Sequence, residues 1–173
     1  MKGIRGLTQS DCEQVLRLNA GSLPGVARLD EAEFARLVTL PNAHLAVEGP
    51  ARNLIGYLLA FSSSSAYDGE EFLTFAKSCR EPFLYIDQVA VDPGMRRAGI
   101  ASALYEALEA HAQSRSIFGL CCEVNLNPLN PGSLAFHQDA GFKQLGVLKT
   151  AGGRTVALMT KSVKSAELGA RET

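Results

Sequence analysis

The sequence predicts an α/β (α+β) fold, with helices packed on one mixed sheet, and three observations predict it. Runs rich in β-branched and aromatic residues alternate with segments whose apolar residues recur at helical spacing. Their order is strand, two helices, three strands, helix, strand, helix, two strands, which suits a layered sandwich. At 173 residues and 46% apolar content, the chain can bury one sizeable core but hardly two. No internal repeat is visible. The expectation is a single domain over 1–163 with a polar tail over 164–173.

Each element has a local reason. Lys2–Leu7 reads as a short first strand. Thr8 or Ser10 can cap the helix that follows, since Ser10 precedes Glu13 by three residues and Val15, Leu16 and Leu18 supply an apolar face. Asn19–Pro24 breaks that helix. A second begins at Asp30, with Glu31 and Glu33 in its first turn, and ends before Pro41 and Asn42. His44–Glu48 and Asn53–Phe61 form an antiparallel pair across Gly49 and Pro50, with Gly56 marking a bulge. Ser62–Pro82 opens with four serines, and Glu70–Lys77 suits one or two helical turns. Two readings stay open for this segment, a lid or acceptor-binding insertion and a plain surface loop.

Phe83–Val91 is a strand stopped by Asp92, Pro93 and Gly94, and Ala101–Ala112 is a helix with Leu104, Leu108 and His111 at helical spacing. Ser116–Val124 reads as a buried strand and Asn125–Gly132 as a loop. Pro131 starts a short helix that Gly141 stops. Phe142–Leu148 and Thr155–Lys161 form a hairpin about Gly152 and Gly153, and Lys164–Thr173 is expected to fray.

Composition excludes several classes. A net charge of −1 argues against a general nucleic-acid binder, while leaving room for a local anion site. Cys12, Cys79, Cys121 and Cys122 show no C-x-x-C and no paired His spacing, so neither a metal site nor a disulfide framework is expected. No apolar run approaches the ~20 residues that span a bilayer, and the N-terminus lacks the apolar core of a signal peptide. No membrane contact and a cytoplasmic location are the expectations.

The chemistry concentrates where Phe83–Val91 gives way to the next helix. Arg96–Ala101 must turn the chain at a helix N-terminus, where unpaired amides and the helix dipole favour an anion. Gly99 lets that anion approach without a Cβ in the way. A diphosphate fits such a turn; an ordinary connection with solvated arginines is the plainer reading.

Arg96, Gly99 and Ala101 form R-x-x-G-x-A, which resembles the [Q/R]-x-x-G-x-[G/A] signature of the GCN5-related N-acetyltransferase (GNAT) superfamily. Asn130, Ser133, Phe136, His137, Gly141 and Phe142 resemble that family's N-x-x-[AS]-x-x-[FL]-Y-x-x-x-G-F segment, in the same order along the chain. The likeness covers about Tyr85 to Phe142. It implies a mostly antiparallel sheet flanked by helices and splayed between the fourth and fifth strands, with acetyl-CoA as cosubstrate and no metal. Backbone amides of Arg97, Ala98, Gly99, Ile100, Ala101 and Ser102 would cradle the pyrophosphate, with Arg96 or Arg97 adding charge. The pantetheine arm would lie along Val89, Ala90 and Val91, near Asn130, Ser133 and His137. Asn130 has a structural reading too, as a turn-stabilising residue.

The implied reaction is direct acetyl transfer, in a ternary complex, to a primary amine of a small molecule, amino acid derivative or peptide. The amide of Val89 is the implied oxyanion donor. By strand alternation Tyr85, Asp87, Val89 and Val91 share a face. Asp87 is then a base, an anchor for the acceptor's ammonium, or a solvated edge residue. His137 stands where the family has Tyr; as an acid it would need a carboxylate such as Asp139, Glu123 or Asp87 to raise its pKa, and its other readings are a proton shuttle, a hydrogen-bond partner of the CoA sulfur and a structural residue. His44 and His111 read as structural, Glu123 as cleft or edge, and Phe61, Tyr67, Phe72 and Phe75 as core or acceptor pocket. The missing Tyr supports an alternative, a non-catalytic acyl-CoA-binding or sensory module. Homodimers are common in the family, and no residue here demonstrates one.

Overall fold

The computed structural model describes residues 3–164. The expected tail from Lys164 onward lies almost wholly outside the described residues. One sheet runs in the order β1 (Ile4–Gly6), β2 (Leu45–Glu48), β3 (Leu54–Ser62), β4 (Phe83–Val91), β5 (Gly119–Asn127), β7 (Thr155–Ser162) and β6 (Lys143–Lys149). Every adjacent pair is antiparallel except β4 and β5.

Helices cover both faces. Helix α1 (Cys12–Ala20), α2 (Glu31–Leu37) and α3 (Glu70–Ser78) belong with a core of Phe34, Tyr57, Phe61, Phe72, Phe75 and Tyr85. Helix α4 (Ile100–Ser114) and α5 (Pro131–Asp139) belong with the opposite core, where Leu58, Ile86, Leu104, Leu108, Val124 and Met159 meet. Among the described residues, no helix is long and apolar enough to cross a membrane.

Several boundaries differ from expectation for identifiable reasons. Of the two expected caps Thr8 is the one used, paired with Asp11 rather than Glu13: the Thr8 amide donates to Asp11 at 2.9 Å, and a 3-10 turn over Gln9–Asp11 precedes α1. The segment after β3 is no plain loop, because α3 buries Phe72 and Phe75, each contributing about 2 kcal/mol of apolar burial. Strand β5 continues to Asn127, three residues into the expected loop, because β7 pairs with it as far as Asn127.

Two bulges set the geometry of the site. At the first, Val47 faces Gly56 and Glu48 faces Leu54, leaving Ile55 as the extra residue. A Cβ on Gly56 would sit 2.9 Å from Ile100 Cγ2, so this glycine seats the first residue of α4. At the second, Leu59 faces Gln88 and Ala60 faces Ile86, leaving Asp87 unpaired in register. Strand alternation breaks there. Tyr85 and Ala90 pack with the α1 side, while Ile86, Val89 and Val91 pack with the α4 side, so the expected shared face of Tyr85, Asp87, Val89 and Val91 does not exist.

Candidate active site

The site begins where two strands part. β4 and β5 pair only from Phe83 with Gly119 to Ile86 with Cys122. Beyond that point Asp87–Val91 and Glu123–Asn127 diverge, and the backbone of β4 faces an open wedge instead of a neighbour.

Past β4, the Asp92 carboxylate accepts from the Gly94 amide at 2.9 Å and starts a 3-10 turn over Pro93–Met95. Arg97 (φ 62°) and Gly99 (φ 76°) then take left-handed conformations that fold the loop onto the N-terminus of α4. An arginine there costs about 1 kcal/mol of backbone strain, the kind that clusters at functional sites. A Cβ on Gly99 would meet nothing within 4 Å. The loop and helix start line a cavity of about 400 Å³ with Arg96 and Arg97 at its rim.

A second cavity of about 260 Å³ shares Val91, Arg96 and Ala101 with the first and runs between β4 and α5, past Asn130 and Ser133. A third of about 340 Å³ shares Val89, Gly25 and Val26 with the second and ends on Asp87 and Glu123. One groove thus joins the loop at Gly99 to two carboxylates.

The proposed ligand-binding residues divide by the part of each that faces this groove. Ile100 is buried in the core and Ala90 packs on the opposite face, so each offers only backbone. The side chain of Ala98 lines a separate apolar hollow with Ile55 and Met95. Asn130 caps α5, its Oδ1 accepting from the Ser133 amide at 3.2 Å, which leaves the carboxamide N–H₂ for a ligand.

At the inner end, each carboxylate receives one tyrosine hydroxyl. Tyr67 donates to Asp87 at 2.7 Å and Tyr85 to Glu123 at 2.6 Å. Burial pushes the Asp87 carboxyl up to about 6, against the pull of the Tyr67 bond. Burial, and then repulsion from Asp87, push Glu123 up to about 8. Glu71 and Arg154 complete this end, joined at 2.6 Å, with Arg154 also donating to Asn125 at 3.0 Å.

His137 lies beside this cavity, 7% exposed, with both nitrogens engaged. Nδ1 donates to the Ser133 carbonyl at 2.7 Å, so Nε2 is the acceptor for the Tyr105 hydroxyl at 2.7 Å. Neither nitrogen bonds Asp139, Glu123 or Asp87, and burial pushes the imidazole below its ordinary range. The ring is neutral at pH 7.

The sequence reading left Glu123 open and gave no part to Glu71 or Arg154. Parity along β5 carries the signal for Glu123: Leu120, Cys122 and Val124 belong to the α4-side core, so Glu123 must face the other way.

The Acetyltransferase (GNAT) family model matches residues 18–142. Among solved structures, the ribosomal-protein-S18-alanine N-acetyltransferase of Escherichia coli aligns with a TM-score of 0.73 at 17% identity, covering 98% of each chain. Chaetomium thermophilum Naa20 in complex with a bisubstrate analogue gives 0.72 at 19%, covering 93% of this chain and 86% of that one. A phosphinothricin acetyltransferase of Sinorhizobium meliloti, in complex with AcCoA, gives 0.69 at 20%, covering 99% and 96%. These likenesses are of fold. No curated protein matches the sequence significantly. The matched span runs from within α1 to the residue before β6 and takes in the glycine loop, both diverging strands and α5: the chain belongs to the acetyltransferase (GNAT) family.

Proposed function

We propose that this chain is an acetyl-CoA-dependent N-acetyltransferase, passing the acetyl group directly to a primary amine of a small molecule, amino acid derivative or peptide. The observation that carries this reading is the single groove from the Gly99 loop to the carboxylates of Asp87 and Glu123. Amides of Arg97–Ser102 hold the diphosphate, the open edge of β4 at Val89–Val91 aligns the pantetheine arm, and Asn130 donates to its amides. Acetyl-CoA supplies a thioester carbonyl, whose oxygen the Val89 amide receives. An acceptor amine arrives mostly as ammonium, with a pKa of about 10. Asp87, ionised at neutral pH with a pKa of about 6, attracts that charge and takes its proton, and Glu123, with a pKa of about 8, becomes available as a base as pH rises toward that value.

The surroundings of Cys122 support direct transfer. Cys122 lines the acceptor cavity, but burial and the adjacent Glu123 hold its thiol well above the ordinary range, so it stays protonated and inert.

The engagement of His137 favours a second reading, a module that binds acyl-CoA without turnover, because no acid stands ready at the position the family gives to Tyr. Thiol release from acetyl-CoA across a panel of primary amines and N-terminal peptides separates the two. The transferase reading expects release with at least one class. CoA binding by calorimetry with no release from any acceptor supports the sensor.

A further inference from the structure

One wall of the acceptor cavity is the loop between α1 and α2, which contributes Pro24, Gly25, Val26 and Ala27. It contains no helix or strand of its own. A buried polar cluster beneath it explains its order. Asn19, at the end of α1, is 1% exposed; Gln88, next to the bulged Asp87, is 3% exposed; Tyr57 on β3 is fully buried. Asn19 Nδ2 donates to the Ala27 carbonyl at 2.8 Å, and Gln88 Nε2 donates to the same carbonyl at 3.1 Å. The Leu29 amide donates to Asn19 Oδ1 at 3.0 Å, so both sides of the asparagine hold the loop. Tyr57 donates to Gln88 Oε1 at 2.9 Å, and Asn19 Nδ2 also reaches that oxygen at 3.1 Å and the tyrosine hydroxyl at 3.2 Å.

The donor and acceptor pattern allows one arrangement only. Turning the Asn19 amide over would set its N–H₂ against the Leu29 N–H, and turning Gln88 over would set its carbonyl against that of Ala27. The side chains of Asn19, Gln88 and Tyr57 are buried, whereas Ala27 is exposed and its carbonyl caps the cluster from the solvent side, so losing one side chain leaves buried partners unpaired and loosens the hold on the loop.

We propose that Asn19, Gln88 and Tyr57 are positioning residues that clamp Ala27 and so set the acceptor-binding wall of the site. The inference rests on the acetyl-transfer reading above. The clamp acts chiefly on the acceptor end, because its anchor Ala27 lines the acceptor cavity and neither of the other two, while Gly25 and Val26 before it border the middle cavity as well. The diphosphate loop at Gly99 has its own support on α4.

The experiment compares the unaltered protein with Gln88→Met, which removes every hydrogen bond of the amide at similar volume, and Tyr57→Phe, which removes one hydroxyl and keeps the ring. Expected results are an acceptor KM raised about tenfold in Gln88→Met and about threefold in Tyr57→Phe. CoA affinity by calorimetry should stay within about twofold. Hydrogen exchange should quicken at the amides of residues 25–29, which a role confined to core packing would not single out. If Gln88→Met does not fold, Tyr57→Phe carries the test alone. Folded variants with a lowered melting temperature but unchanged acceptor KM overturn the proposal, as does a loss of CoA affinity equal to the rise in KM. A lack of turnover in the unaltered protein would defeat the transferase reading, and this one with it. Turnover with an insensitive KM defeats this one alone.

Discussion

His137 and Tyr105 illustrate how a residue in a motif position can serve the fold. The imidazole sits with Tyr105, Phe136 and Phe142 in edge-to-face packing, with ring centroids 5.4 to 5.5 Å from its own. Removing its ring nitrogens leaves a buried tyrosine hydroxyl without an acceptor. His137→Phe is therefore expected to cost about 1–3 kcal/mol of stability by denaturant unfolding, while turnover stays within about threefold at all pH values. Adding Tyr105→Phe should recover part of that loss, since both partners of the bond are then gone. A fall in turnover of about a hundredfold or more at unchanged stability would instead make His137 the acid. The carboxylates carry the opposite expectation. Asp87→Asn should lower kcat by about 100-fold or more at pH 7, Glu123→Gln should cost most above pH 8 where that carboxyl ionises, and both should leave CoA affinity unchanged.

At the scale of elements, the proposed function gives binding to the loop between β4 and α4 and the aiming of Asp87 to the bulge in β4. Gly99→Glu would bring a carboxylate to the diphosphate position and force a side chain into a left-handed conformation, for a backbone cost of about 1–2 kcal/mol. The expected result is loss of measurable CoA binding by calorimetry with a near-native circular dichroism spectrum. Unchanged affinity would remove the loop from the site. This loop was legible because a strand, a turn and a glycine before a helix form a local pattern. Asp87 was legible as a residue but not as a direction, since alternation assumes an unbroken ladder and the bulge is fixed by pairing with β3, 29 positions away in Leu59↔Gln88 and 26 in Ala60↔Ile86. The roles of Asn19, Gln88 and Arg154 were not legible for the same reason, because each depends on partners remote in sequence. Asn19 reads locally as a helix breaker, and only the fold brings it to Gln88, 69 residues on.

For the molecule as a whole, the acceptor site is a source of instability that pH exposes. Asp87 and Glu123 have folded pKa values above their ordinary ones, so the folded state favours their protonated forms. Their contribution is fully present below pH ~4 and is lost as pH rises through about 6 and about 8. His44 works in the other direction. Its Nδ1 accepts from the Ala60 amide at 3.0 Å, and burial holds its pKa down at about 4, so its contribution is present above pH ~6.5 and lost as pH falls toward 4. The site therefore weakens the fold in the pH range where a general base is wanted. Glu123→Gln keeps an oxygen for the Tyr85 hydroxyl and removes the charge. It should raise the melting temperature by about 3–8 °C at pH 8, corresponding to roughly 1–3 kcal/mol, and have little effect at pH 4, where the native carboxyl is already neutral. Scanning calorimetry at the two pH values checks this. An equal shift at both would show that packing rather than charge is responsible, and a lower melting temperature at pH 8 would mean that the Glu123 carboxylate stabilises the folded chain.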